Sequence, residues 1–143
     1  MPNFTTKTIS LSIIILLNIV LVKSSWFNPR VEIYIINALP KNSKPLSLHC
    51  QSHDNDLGNK TLRTNGEFYF TFKRLFVGET LFFCHFWWNS KHNMFDVYNH
   101  DIADSCGEVR RNIYECYWRV QEDGFYLGAH RDPVAAYWKK YEW

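Results

Sequence analysis

The sequence is short of catalytic signatures. It has no Gly-x-Ser-x-Gly elbow, no His-Glu-x-x-His helix motif and no histidine-containing nuclease motif. Six histidines are present, but none stands in a recognisable acid–base pair. These absences point away from the common hydrolases. The four cysteines lack the Cys-x-x-Cys spacing of a closed zinc site, and neither adjacent pair, His49-Cys50 or Cys84-His85, has a spacing that such a site uses. No cofactor or metal is expected. There is also no second long apolar run after the N-terminus, no internal repeat, no low-complexity tract and no trustworthy helical periodicity beyond the N-terminal segment. One ordinary domain is therefore expected.

What is present begins with a leader. Lys7 precedes an apolar run over residues 9–22, interrupted by Ser10, Ser12 and Asn18, and Val22-Lys23-Ser24 supplies a small-residue cleavage site. This is the layout of a secretory signal peptide. Its 14 residues fall short of the roughly 20 apolar residues a spanning helix needs. A leader over 1–24 and a mature domain over 25–143 are expected. Two of the 16 basic residues, Lys7 and Lys23, leave with the leader, so 14 basic residues face 14 acidic ones. A neutral chain is a poor nucleic-acid ligand, which needs positive charge to displace counterions. Stable membrane insertion after leader removal is not expected either.

Behind a signal peptide, Cys50, Cys84, Cys106 and Cys116 read as two disulfides. Three connectivities are open. Cys50–Cys116 with Cys84–Cys106 is preferred here, because it joins an early strand to a late one and closes a long loop. Asn59-Lys60-Thr61 is an N-glycosylation sequon beside turn residues, and Asn59 is the expected acceptor.

The mature part alternates apolar and polar residues with period two. Val31, Ile33 and Ile35 form one such set; Leu46, Leu48 and Cys50 another; Phe68, Phe70 and Phe72 a third. Residues 81–88 are nearly continuously apolar, broken by His85, and Phe95, Val97 and then Tyr114, Cys116, Trp118 and Val120 follow. Turn signals at 54–58, Asn65-Gly66, Val77-Gly78 and Asp123-Gly124 separate these runs, the last reading as a tight hairpin. The expectation is an all-β fold, a small antiparallel β-sandwich of seven or eight strands. The count depends on 61–63 and 137–143.

These pieces, in this order, resemble the plant self-incompatibility proteins and their S-protein homologues. The matching segments are Val31-Glu32-Ile33-Tyr34-Ile35-Ile36-Asn37, the stretch 49–58, Phe68-Tyr69-Phe70-Thr71-Phe72, the stretch 80–88, Phe95-Asp96-Val97-Tyr98, Cys116-Tyr117-Trp118-Arg119-Val120 and Asp123-Gly124-Phe125-Tyr126-Leu127. The resemblance covers nearly all of the mature chain. One departure is Asn55, which stands between Asp54 and Asp56 where the family has a run of acids. The resemblance implies a secreted β-sandwich with variable loops. It also implies a non-enzymatic ligand for a cell-surface receptor, since founding members are stigma ligands that reject self pollen.

Several residues have two readings. Asp54, Asn55 and Asp56 could hold calcium, but without the later acid of an EF-hand loop they read as a turn, with Gly58 at positive φ. His85 reads as a buried, hydrogen-bonded core histidine rather than a catalytic base. Trp87, Trp88 and Trp118 read as core beside a disulfide rather than a sugar platform. The pairs Lys73-Arg74, Arg110-Arg111 and Lys139-Lys140 read as solvated charge. The segment 99–112 carries Asp101, Asp104, Glu108, Arg110 and Arg111 and is tethered by Cys106, which makes it the expected receptor contact. The rival functions are a carbohydrate-binding module and a small secreted hydrolase. Exposure of the three tryptophans separates the first rival from the ligand reading.

Overall fold

The computed structural model describes residues 4–26, 28–75 and 77–143. An N-terminal helix, α1 (Phe4–Trp26), includes residues 4–24 of the expected leader, whose first three residues lie outside the described ones. Its apolar side chains Ile9, Leu11, Ile13 and Leu16 remain exposed rather than joining the core. Among the described residues no helix is long and apolar enough to cross a membrane.

Among the described residues ten strands follow: β1 (Arg30–Asn37), β2 (Leu46–Gln51), β3 (Asp56–Leu62), β4 (Glu67–Lys73), β5 (Phe82–Trp88), β6 (Lys91–Tyr98), β7 (Gly107–Arg110), β8 (Ile113–Gln121), β9 (Gly124–Gly128) and β10 (Trp138–Tyr141). A four-residue helix, α2 (His100–Ala103), lies between β6 and β7. One sheet has the order β10-β9-β8-β1-β4, with β7 on β8; the other has the order β3-β2-β5-β6. The chain is all-β, in two sheets with two disulfides.

Alternation decides which face of each strand is inside. Val31, Ile33, Ile35, Trp118, Val120, Phe125 and Leu127 from the larger sheet meet Leu46, Leu48, Phe86 and Val97 from the smaller, all essentially inaccessible. Phe95 bridges the layers, with ring centroids 4.7 Å from Phe125, 5.2 Å from Trp118 and 4.4 Å from Tyr141. The Trp118 indole N–H, which burial would otherwise orphan, donates to the Val97 carbonyl at 3.0 Å.

Four features depart from the sequence reading. β1 runs parallel to β8, with Tyr34 opposite Tyr117, although its other neighbour, β4, is antiparallel. β7 and the opening of β3 carry too few apolar residues to register as strands by alternation. The third departure is His85, which points outward from β5 between the buried Cys84 and Phe86. Its Nε2 is inaccessible and has no hydrogen-bond partner, so it is not a hydrogen-bonded core residue. The fourth is the disulfide pairing. The bridges are Cys50–Cys84 and Cys106–Cys116, with Cα separations of 4.0 and 4.6 Å. The long-loop pairing is thus corrected, because β2 lies beside β5 with Cys50 directly opposite Cys84. Likewise, the β7–β8 ladder, with Gly107 opposite Glu115, brings Cys106 to Cys116.

Candidate recognition surface

The segment 99–112 is ordered by its own short-range chemistry. Asn99 caps α2: its side-chain oxygen accepts the Ile102 N–H at 2.9 Å, and its amide donates to Asp96 at 3.1 Å. Ile102 is buried and anchors the helix in the core. Cys106 is bridged to β8, and β7 then adds to the sheet. Asn112 turns the chain at φ 62°, a left-handed position that asparagine tolerates well. Its N–H is accepted by the Glu108 carboxylate at 3.1 Å.

On this frame Asp101, Asp104, Glu108, Arg110 and Arg111 are all exposed. The ion pairs among the described residues involve none of the five. Charges of both signs are thus displayed on a pinned backbone without neutralising one another. That arrangement suits a charged partner, since little ordering entropy remains to be lost on binding.

The other candidates fall into place around it. The 54–58 segment is a turn entering β3: the Ser52 N–H donates to the Asn55 carbonyl at 2.8 Å, and Asp56 accepts the Gly58 N–H at 2.8 Å. Gly58 has φ 75°, which glycine adopts without strain. Asp56 also contacts His49, and this hydrogen bond, ahead of that from Gly58, holds its carboxyl below the usual range. Among the described residues no group of three or more His, Cys, Asp or Glu side chains is placed to hold a metal. Lys139 pairs with Asp123 at 2.9 Å, so one of the three basic pairs has a structural partner. Asn59 is exposed on β3.

The tryptophans divide. Trp118 and Trp88 are buried, at 0% and 6% exposure, but the core reading is corrected for Trp87, which is 37% exposed because alternation turns it to the outer face of the four-stranded sheet. Trp87 stacks on His85 with centroids 3.8 Å apart. Burial, then the nearby His92 and His49, lowers the His85 pKa from its ordinary value.

One constellation escaped sequence reasoning. On the outer face of the larger sheet, Tyr34 stacks on Tyr117 at 4.6 Å and lies 4.9 Å from Tyr69. The Arg131 guanidinium covers Tyr34 and Tyr117 at 5.2 Å each and pairs with Glu67 at 2.8 Å. The phenols donate to Glu32 and Glu115 at 3.0 and 2.6 Å. Burial, then these bonds, raises both tyrosine pKa values well above normal, so neither supplies a phenolate near neutrality. The signal was present as tyrosines at the polar positions of alternating strands. Their assembly needed the β1–β8 register.

Comparison with known proteins agrees with this architecture. The profile of the family described as plant self-incompatibility protein S1 matches residues 32–143. S-protein homolog 2 of Arabidopsis thaliana is 40% identical over 83 residues, 58% of this chain and 51% of its own length, so this chain spans about half of that relative. Self-incompatibility protein S1 of Papaver rhoeas is 35% identical over 115 residues, 80% of this chain and 79% of that protein. A solved structure of a self-incompatibility protein homologue shares the fold at TM-score 0.51 and 18% identity, covering 74% of this chain and 90% of its own; it is described as one of a widespread family of small, highly stable, secreted proteins from plants. A two-sheet, two-disulfide chain matched by that profile over nearly all its sandwich belongs to the plant self-incompatibility protein S1 family.

Proposed function

We propose that the chain is a secreted recognition ligand that binds a cell-surface receptor through segment 99–112, without catalysis. The leader over 1–24 is removed and the domain 25–143 acts outside the cell. The observation that supports this best is the set of exposed, unneutralised charges on a backbone held by Asn99, Ile102 and the Cys106–Cys116 bridge. Electrostatic complementarity of such a surface sets partner choice and association rate. Rejection of self pollen is one use of such a ligand, and stigma-restricted expression would favour it.

The carbohydrate-binding alternative is left with Trp87 as its one exposed indole of the three, because Trp88 and Trp118 are buried. The test is binding of purified protein to target-cell surfaces at two salt concentrations. Arg110→Glu with Arg111→Glu should keep the fold and weaken both the binding and its salt dependence. Equal affinity at both concentrations would remove this segment from the interface. Turnover abolished by His85→Ala would instead move the protein to the enzymes.

A further inference from the structure

The outer face of the four-stranded sheet carries both an exposed indole and a glycosylation sequon. Register places Asn59, His49, His85 and Met94 in one row across β3, β2, β5 and β6. Thr61, Ser47, Trp87 and His92 form the next row. The sequon therefore presents both its asparagine and its threonine on the same outward face as the exposed indole. Trp87 lies two strands across from Thr61, about 10 Å at ordinary strand spacing. It is held by stacking on His85, with rings inclined 26°. Met94, 59% exposed, extends the apolar surface.

We propose that an N-linked oligosaccharide on Asn59 folds back over this face and seats its first sugars on Trp87. The C–H groups on one side of a pyranose ring carry partial positive charge and pack against the negative face of an indole. Such a contact is weak between free molecules. Tethering through Asn59 makes it intramolecular and raises the effective concentration to about the millimolar range. The oligosaccharide also shields β3, an edge strand whose free backbone groups would otherwise invite pairing with another chain. The idea rests on passage through the secretory route but not on receptor binding.

The test uses full-length chain secreted from plant cells, as wild type, Asn59→Gln, Thr61→Ala and Trp87→Ala. Intact mass should show one oligosaccharide on wild type and Trp87→Ala and none on the two sequon variants. Nuclear Overhauser contacts should join the first or second sugar to the Trp87 indole protons. Enzymatic removal of the oligosaccharide should lower the melting temperature of wild type by a few degrees and leave Trp87→Ala unchanged. A secreted protein bare at Asn59 overturns the proposal. So does an occupied Asn59 with no indole contact and equal melting shifts in the two proteins. A chain retained in the cell with residues 1–24 intact would instead overturn the leader.

Discussion

Cys106 and Cys116 face each other across the first rungs of the β7–β8 ladder, Cα atoms 4.6 Å apart, so the proposed receptor-contact segment is bolted to the central part of the larger sheet. The bridge closes a loop of ten residues. In the chain-entropy picture such a closure stabilises by about 3 kcal/mol. Replacing both cysteines by alanine should lower the unfolding free energy by about that amount in denaturant titrations. Trypsin should also cleave after Arg110 and Arg111 faster than in wild type. Unchanged cleavage would mean that Asn99 and Ile102 hold the segment without the bridge.

Asn37 is a fully buried polar side chain at the end of β1. Its amide donates to the Leu62 carbonyl at 2.8 Å, and its oxygen accepts the Leu39 N–H at 2.9 Å. Asn37→Leu fits the surrounding polarity poorly because it strands the buried Leu39 N–H and the partly buried Leu62 carbonyl, the loss of a buried partner costing about 1–3 kcal/mol. A loss of at least about 2 kcal/mol is expected by urea unfolding. A loss within error would show that the β3–β4 turn re-pairs these groups.

His85 makes stability depend on acidity. Its pKa is lowered on folding, so the unfolded chain takes up this proton first as pH falls. The contribution of the neutral ring is complete above the ordinary value of 6.5 and is lost as pH drops below it toward the lowered folded value. Melting temperature should therefore fall on acidification below pH 6.5, and His85→Phe should flatten that part of the profile. An unchanged slope would mean that His85 is not the source of the acid sensitivity.

Buried and exposed tryptophans should differ sharply in protein made without an attached oligosaccharide. Trp118→Ala removes a wholly buried ring and should cost about 3–5 kcal/mol. Trp87→Ala, at a partly exposed site, should stay near 0.5 kcal/mol. A large loss at Trp87 would make the His85 stack a structural support of β5.

N-terminal sequencing of secreted protein should begin at Ser25 or Trp26. A chain that still begins at Met1 and stays with membranes would contradict the leader.

Much of the sandwich was legible because alternation is a local property. Val31-x-Ile33-x-Ile35 or Leu46-x-Leu48-x-Cys50 states which side chains face inward, and Asp123-Gly124 marks a hairpin, whatever lies elsewhere in the chain. By itself the sequence determined the all-β class, the boundaries of most strands and the family, but it read Trp87 as core along with Trp88 and Trp118. What alternation cannot say is which strand lies beside which. The parallel seating of β1 against β8, the stacking of Tyr34 on Tyr117 beneath Arg131, and the neighbourhood of β2 and β5 that joins Cys50 to Cys84 are contacts between distant segments. Only the tertiary structure decided them, because strand order is settled by the packing of two whole sheets around Phe95, Trp118 and Phe125, not by any one strand's pattern.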